Sequence, residues 1–179
     1  VASRGLGDVY KRQVIDLGKL IPIVIKKTNS KHKARHIQTQ NIPDGGDIIY
    51  DRIPLMFNDD VIIHKAHITE SMDSFYRNAH FDEVLYIQSG NGQLKTNFGN
   101  FEVKPGDYIV IPRGVIWQLE VNNGIRCLVI ESKSPIETPN RYRNKFGQLL
   151  EHSPYCERDI RTPILADPVD REGKYKVDV

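Results

Sequence analysis

The middle of the chain alternates short hydrophobic segments with clusters of turn-forming residues. From Asp47 onward the apolar runs are brief, and the intervals between them are rich in Gly, Asn, Asp and Pro, which favour turns. No long segment with the period of an amphipathic helix lies between them. The pattern therefore predicts eight short strands, over residues 48–53, 61–69, 83–88, 92–98, 101–103, 108–111, 115–121 and 126–132.

Short strands at nearly regular spacing are typical of an antiparallel barrel or jelly roll. The predicted fold class is therefore all-β, with the barrel over residues 47–134. The preceding segment, 14–46, lacks such a pattern and is predicted to be a linker. Segment 135–179 is rich in proline, arginine and polar residues and is predicted to be an extended arm, with one short helix near 142–150.

Both ends of the chain differ from the ends of an ordinary domain. Residues 1–13 have no apolar periodicity and resemble a translated cloning adapter, so we expect a non-native start that makes few contacts with the barrel. Residues 175–179 show a strand-like alternation with no terminator after it. We therefore expect the chain to be part of a larger protein.

Composition places the chain among ordinary soluble proteins. Hydrophobic residues make up 39% and charged residues 27%, and no apolar run approaches the roughly 20 residues that span a bilayer. The net charge of +2 hides a basic start, because residues 1–36 contain nine Lys or Arg and two Asp or Glu. Without interleaved aromatic residues or a motif, a solvated linker is favoured over a nucleic-acid contact. We expect no nucleic-acid or membrane partner.

Two stretches of the predicted barrel match the spacing of the cupin motifs. Six residues separate Glu83 from Gly90, which is the interval between the glutamate and the glycine of the first motif. Gly106, Pro112 and Gly114 stand at the glycine, proline and glycine positions of the second. The chain thus resembles the cupin family, which implies a double-stranded β-helix, or jelly roll.

The metal ligands of a cupin are missing from these motifs. A mononuclear site needs imidazoles and a carboxylate. The two histidines expected before Glu83 fall on residues 76–79, which are Tyr, Arg, Asn and Ala, and the third falls on Trp117, which has no lone pair to donate. His80 lies off the usual spacing. We therefore expect no metal site, and the Trp117 indole is predicted to fill the barrel interior.

Histidines elsewhere are weak candidates for metal ligands. His64 and His67 are three residues apart in a predicted strand, so they should point to opposite faces. His32 and His36 lie in a linker segment whose basic residues would repel a cation.

One polar cluster in the arm contains possible ligands. His152 lies near Glu151, Cys156 and Glu157, which could bind a metal, although an ordinary polar arm is favoured. Cys127 lies in an apolar strand and is predicted to be a small core residue. Two cysteines without a visible secretory signal favour a reducing compartment, so a cytoplasmic location is predicted.

Several segments resemble a more specific family. Residues 75–84, 98–100, 106–114 and 130–132 are similar to the N-terminal half of short bacterial homogentisate 1,2-dioxygenases. The most specific stretch is residues 138–159, TPNRYRNKFGQLLEHSPYCERD. The resemblance extends over about residues 14–179.

This resemblance implies a bicupin enzyme of tyrosine and phenylalanine breakdown, in which ferrous iron and O2 open the homogentisate ring to give maleylacetoacetate. In that family the iron ligands, two histidines and a glutamate, and an acid/base histidine lie in the C-terminal cupin. No catalytic, cofactor-binding or metal-binding residue is therefore assigned to this chain. Fe(2+) is expected outside it, and the chain alone is expected to be inactive.

The implied partners are the second cupin half, further copies in a homo-oligomer, and a small aromatic substrate for the parent enzyme. Two alternatives stay open. One is a free-standing cupin that binds or acts as a scaffold without chemistry. The other is a cupin dioxygenase that acts on another aromatic compound, such as gentisate.

Overall fold

A computed structural model describes residues 36–165, 167 and 173–179, together with the backbone of 14–18. The adapter-like start at 1–13 and His32 lie outside the described residues, as does the basic stretch before residue 36. The strands are β1 Val14–Gly18, β2 Ile53–Phe57, β3 Val61–Ile68, β4 Phe75–Tyr76, β5 Asp82–Thr96, β6 Gly99–Val103, β7 Tyr108–Ile111, β8 Trp117–Ser132 and β9 Lys174–Asp178. Three single-turn 3-10 helices are described, at Thr39–Asn41, Asn140–Tyr142 and Glu157–Asp159.

Two long bent strands, β5 and β8, build the jelly roll. They pair with each other over nearly their whole length, from Asp82 opposite Ser132 to Thr96 opposite Trp117. The jelly roll has two opposing faces, each a layer of strands. The first half of β5 and the last half of β8 belong to one face, which has the order β2-β3-β8-β5-β7. The remaining halves belong to the other face, which has the order β1-β9-β4-β8-β5-β6. The predicted all-β cupin-type jelly roll is confirmed.

The bend in β5 explains why the sequence predicts two strands where there is one. The pairing register shifts between Ile87 and Ser89 and again up to Gly92, so bulges turn the strand from one face to the other. Gly90 has φ of 85°, and a Cβ there would lie 2.2 Å from the carbonyl oxygen of Gly124. Only glycine fits this corner. The predicted pair 115–121 and 126–132 merges in the same way into β8.

Two predicted elements are wrong for the same reason, which is a side chain that caps the backbone locally. The strand predicted at 48–53 is largely a turn, because the Asp47 carboxylate accepts from the amides of Ile49 and Tyr50. The helix predicted near 142–150 is a tight turn, because the Asn144 side chain accepts from the amides of Phe146 and Gln148.

The core lies between the two opposing faces of the jelly roll. It contains Trp117, Leu119 and Leu94 from one face and Ile87, Cys127 and Val129 from the other, all at most 2% exposed. The predicted burial of Cys127 and of the Trp117 indole is confirmed. Burial raises the pKa of the Cys127 thiol to about 12, so it stays neutral in this core. None of the described residues forms a helix long and apolar enough to cross a membrane.

Candidate functional site

Two carboxylates face each other inside the barrel. Glu83 on β5 is the register partner of Glu131 on β8, and their side chains are 1% and 7% exposed. Like charges directly opposite each other on neighbouring strands are unfavourable, and burial makes the repulsion stronger. The pair therefore requires a nearby cation.

Arg52, which precedes β2, supplies that cation. Its Nη1 donates to Glu83 Oε1 at 3.0 Å, and its Nη2 donates to Glu131 Oε1 at 3.1 Å. Burial alone would lower the pKa of Arg52, but the charges of Glu131 and Glu83 outweigh it and raise the pKa. One guanidinium thus joins two carboxylates that come from different strands.

Glu131 has two further partners. His64 Nε2 lies 2.8 Å from Glu131 Oε2, and Asn78 Nδ2 donates to Oε1 at 2.8 Å. An ionised carboxylate only accepts, so the proton of this contact is on His64 Nε2. Burial raises the pKa of Glu131, but the hydrogen bond from His64 and the charge of Arg52 reverse the sign, and the pKa is lowered. Glu131 is therefore the better stabilised of the two anions.

Glu83 is less well satisfied. Burial raises its pKa, and Arg52 only partly opposes this effect. Within the described part of the chain, three buried polar atoms of the cluster lack a hydrogen-bond partner: Glu83 Oε2, His64 Nδ1 and Trp117 Nε1. A proton taken up by the carboxylate pair should therefore go to Glu83.

Two aromatic side chains, Tyr76 and Trp117, lie beside the cluster on the opposite face of the barrel. The Tyr76 hydroxyl lies 3.5 Å from Arg52 Nη2, and the Arg52 guanidinium lies 5.8 Å from the Tyr76 ring centroid. Trp117 packs edge-on against Tyr76, with the ring centroids 5.5 Å apart. Burial raises the pKa of the Tyr76 hydroxyl, so it remains neutral. The indole and the phenol thus occupy interior space beside the ion pairs.

The residues of this cluster do not fit a metal ion. Glu83, which stands at the cupin ligand position, is engaged by the Arg52 guanidinium at 3.0 Å. Asn78 directs its N–H group at Glu131, and Trp117 has no lone pair. Ala79 and His80 are exposed and do not reach the interior. Among the described residues, no group of three or more His, Cys, Asp or Glu side chains could hold a metal ion.

The other candidate histidines are separated from one another. His64 points into the barrel, whereas His67 Nδ1 lies 2.9 Å from the Ile42 carbonyl oxygen on the other side of β3, so the predicted opposite orientation is confirmed. His36 and His152 are exposed. Cys156 contacts Asp159 within a single turn of the arm, through its backbone amide and its thiol. This favours the ordinary polar arm over a metal cluster.

A second concave feature lies at the edge of the barrel. A cleft of about 790 Å³ runs between β6 and β7 and is partly covered by the arm at residues 159–163. Apolar side chains such as Phe101 and Ile109 form most of its lining. Arg161 fixes the arm there, because it pairs with Asp107 at 2.6 Å and donates to the Glu102 carbonyl oxygen at 3.2 Å. The cleft is a surface feature and is separate from the buried cluster.

Sequence reasoning missed most of the buried cluster. Motif spacing identifies Glu83, and the template position identifies Trp117. Arg52 has no such signal, because it lies 31 residues before Glu83 and belongs to no motif. His64 was placed on one face of a strand, but alternation does not tell which face is the interior. A charged residue within the predicted strand 48–53 is the sequence signal that points to Arg52.

Comparison with known proteins gives the chain its family. The family model described as homogentisate 1,2-dioxygenase N-terminal matches residues 51–164. A protein of Saccharolobus solfataricus, named only provisionally as a dioxygenase, is 41% identical over 150 residues, which cover 83% of this chain and 38% of that protein. The homogentisate 1,2-dioxygenase of Bradyrhizobium diazoefficiens is 42% identical over 62 residues, covering 34% of this chain and 14% of that enzyme.

Solved structures with a similar fold are more distant in sequence. A cupin-2 domain protein from Shewanella frigidimarina has a TM-score of 0.42 and 19% identity, over 46% of this chain and 80% of that one. A cupin protein from Bacteroides fragilis has a TM-score of 0.43 and 17% identity, over 56% of this chain and 92% of that one.

The chain spans well under half the length of the curated relatives named above. The match to the family model nevertheless covers the barrel from β2 to the arm residues that cross the cleft. The chain therefore belongs to the homogentisate 1,2-dioxygenase N-terminal family, within a group of dioxygenase-like proteins.

Proposed function

We propose that this chain is the N-terminal scaffold of an iron-dependent dioxygenase that opens the ring of homogentisate with O2 to give maleylacetoacetate. The observation that carries the proposal is the family match over residues 51–164, which includes the barrel and the first part of the arm. The similarity to a homogentisate 1,2-dioxygenase at 42% identity supports the substrate assignment.

The interior of the barrel supports a scaffold role for this half. The space between the two faces is filled by the ion pairs of Arg52 and by the Trp117 indole. A ring-cleaving site needs open coordination positions for O2 and substrate. We therefore place the iron, the catalytic base and the aromatic substrate outside this chain, in a second cupin half of the same polypeptide that further copies would complete as a homo-oligomer.

Oxygen uptake tests the proposal. The polypeptide that carries this chain together with a downstream cupin should consume O2 in the presence of Fe(2+) and homogentisate, whereas this chain alone should not. Gentisate serves as the matched alternative substrate. Oxygen uptake with gentisate but not homogentisate would assign the chain to another ring-cleaving enzyme. Uptake by this chain alone would contradict the scaffold role.

A further inference from the structure

The buried cluster brings one guanidinium and two carboxylates together inside the barrel. Five side chains from separate segments converge on it: Arg52, His64, Asn78, Glu83 and Glu131. Glu83 and Glu131 contact the Arg52 guanidinium, and His64 and Asn78 contact Glu131. Such convergence inside a barrel is typical of a ligand site, and here the ligand belongs to the chain itself.

We propose that the Arg52 guanidinium is the resident cation of this barrel and that Glu83 and Glu131 form its binding site, at the place where a metal-binding cupin would hold its ion. The barrel is then a site for a small planar organic cation, and in the wild-type chain the Arg52 side chain occupies that site.

The donor and acceptor pattern supports this proposal. A metal site directs lone pairs of imidazole and carboxylate groups at one point. In this barrel the positions expected to carry imidazoles hold N–H donors instead. Asn78 donates to Glu131, and Trp117 has only an indole N–H. The groups around the carboxylates thus donate hydrogen bonds to them, and within the described part of the chain Arg52 is the cation that pairs with both Glu83 and Glu131.

The geometry also favours guanidinium over a point charge. Two different nitrogens of Arg52 reach two different carboxylates, at 3.0 and 3.1 Å, and the group lies near the Tyr76 ring. A planar fork satisfies both anions at once, whereas the ammonium group of lysine is compact and strongly hydrated. We therefore expect Arg52→Lys to restore the charge but not the full stability.

Chemical rescue tests the proposal. In Arg52→Ala, guanidinium at low millimolar concentration should raise the melting temperature in a saturable manner and above the effect of equal NaCl or urea. The rescue should weaken in Arg52→Ala/Glu83→Gln, where Glu131 is the remaining anion, and should disappear in Arg52→Ala/Glu83→Gln/Glu131→Gln. Arg126→Ala is the matched control, because the Arg126 side chain is half exposed and its Nη2 lies 3.8 Å from Asp44 Oδ1. Its melting temperature should not respond to guanidinium.

A second comparison remains informative if Arg52→Ala does not fold. Arg52→Met leaves two buried carboxylates without their cation, so Arg52→Met/Glu83→Gln/Glu131→Gln should recover most of the lost melting temperature. Three outcomes would overturn the proposal. These are a wild-type melting temperature in Arg52→Met, equal responses of Arg52→Ala to guanidinium and NaCl, or a triple variant no more stable than Arg52→Met.

Discussion

Glu83 and Glu131 lie opposite each other on β5 and β8 and share one guanidinium, yet their pKa values are shifted in opposite directions. Burial raises the pKa of Glu83, whereas the His64 hydrogen bond and the Arg52 charge reverse the effect of burial at Glu131 and lower its pKa. The difference follows from the number of donors around each carboxylate. It divides the pair into a firmly ionised member and a member that protonates first.

Glu131→Gln should be strongly destabilising and should change the response to acid. A group with a lowered pKa contributes stability that is present above its ordinary value of 4.5 and is lost as the pH falls through the folded pKa. Removing one partner from a buried ion pair costs about 3–5 kcal/mol. Urea unfolding at a series of pH values should show a smaller acid-induced loss in Glu131→Gln than in the wild type. If the unfolding free energies of Glu131→Gln and the wild type fell in parallel with pH, the lowered pKa of Glu131 would be contradicted.

Glu83→Gln should cost less than Glu131→Gln at neutral pH. Because the pKa of Glu83 is raised, its contribution is present below the ordinary value of 4.5 and is lost as the pH rises through the folded pKa. Ionisation of Glu83 therefore lowers the free energy of unfolding at pH 7, and glutamine, which carries no charge, removes that loss. The gap between the two variants in unfolding free energy should narrow in acid. A larger loss for Glu83→Gln at neutral pH would refute this order.

Asp82 attaches the start of the arm to the barrel. Its carboxylate accepts from the amide of Ile136 at 2.8 Å and from the amide and side chain of Arg113. Asp82→Asn should lose about 1–3 kcal/mol, as expected when buried hydrogen bonds are left unmet. Amide exchange at Ile136 should accelerate, while Asp44→Asn, at an exposed carboxylate, should change neither property. Unchanged exchange at Ile136 would show that the arm is held by other contacts.

Comparing two glycines distinguishes the effect of backbone strain from that of a steric clash. Gly90 and Gly106 both have positive φ, at 85° and 90°. A Cβ at Gly90 would lie 2.2 Å from the Gly124 carbonyl oxygen, whereas a Cβ at Gly106 would have no heavy atom within 4 Å. Gly106→Ala should therefore cost only the backbone term, about 1–2 kcal/mol. Gly90→Ala should cost clearly more by urea denaturation. Equal losses would mean that the corner at Gly90 relaxes.

The sequence predicted the parts of the fold that depend on local chemistry. Gly90, Gly106 and Gly114 were identified by spacing alone, and all three adopt the left-handed backbone that glycine favours. Trp117 was expected to fill the interior because it replaces a ligand, and it is 1% exposed. These residues act through their own backbone or volume, so a template is enough to find them.

Features that depend on contacts distant in sequence were not predictable. Arg52 meets Glu131 across 79 residues, and no periodic pattern connects them. Strand β4 has only two residues, so it has no alternation to detect. The sequence predicts a strand at 48–53 because Ile48 and Ile49 fit an apolar run, whereas the Asp47 carboxylate accepts from the amides of Ile49 and Tyr50 and a turn forms. Side-chain capping and long-range charge pairing overrode the local pattern in these places.

Iron binding by the wild-type chain is the decisive measurement. The purified chain should be reconstituted anaerobically with Fe(2+), freed of loose metal and analysed for metal content, with Arg52→Ala treated in parallel. Because Arg52 engages Glu83 and the imidazole positions hold Asn78 and Trp117, the wild-type chain is expected to retain no stoichiometric iron. One tightly held Fe(2+) per wild-type chain, lost in Glu83→Gln, would contradict both the scaffold role and the place of Arg52 in the barrel.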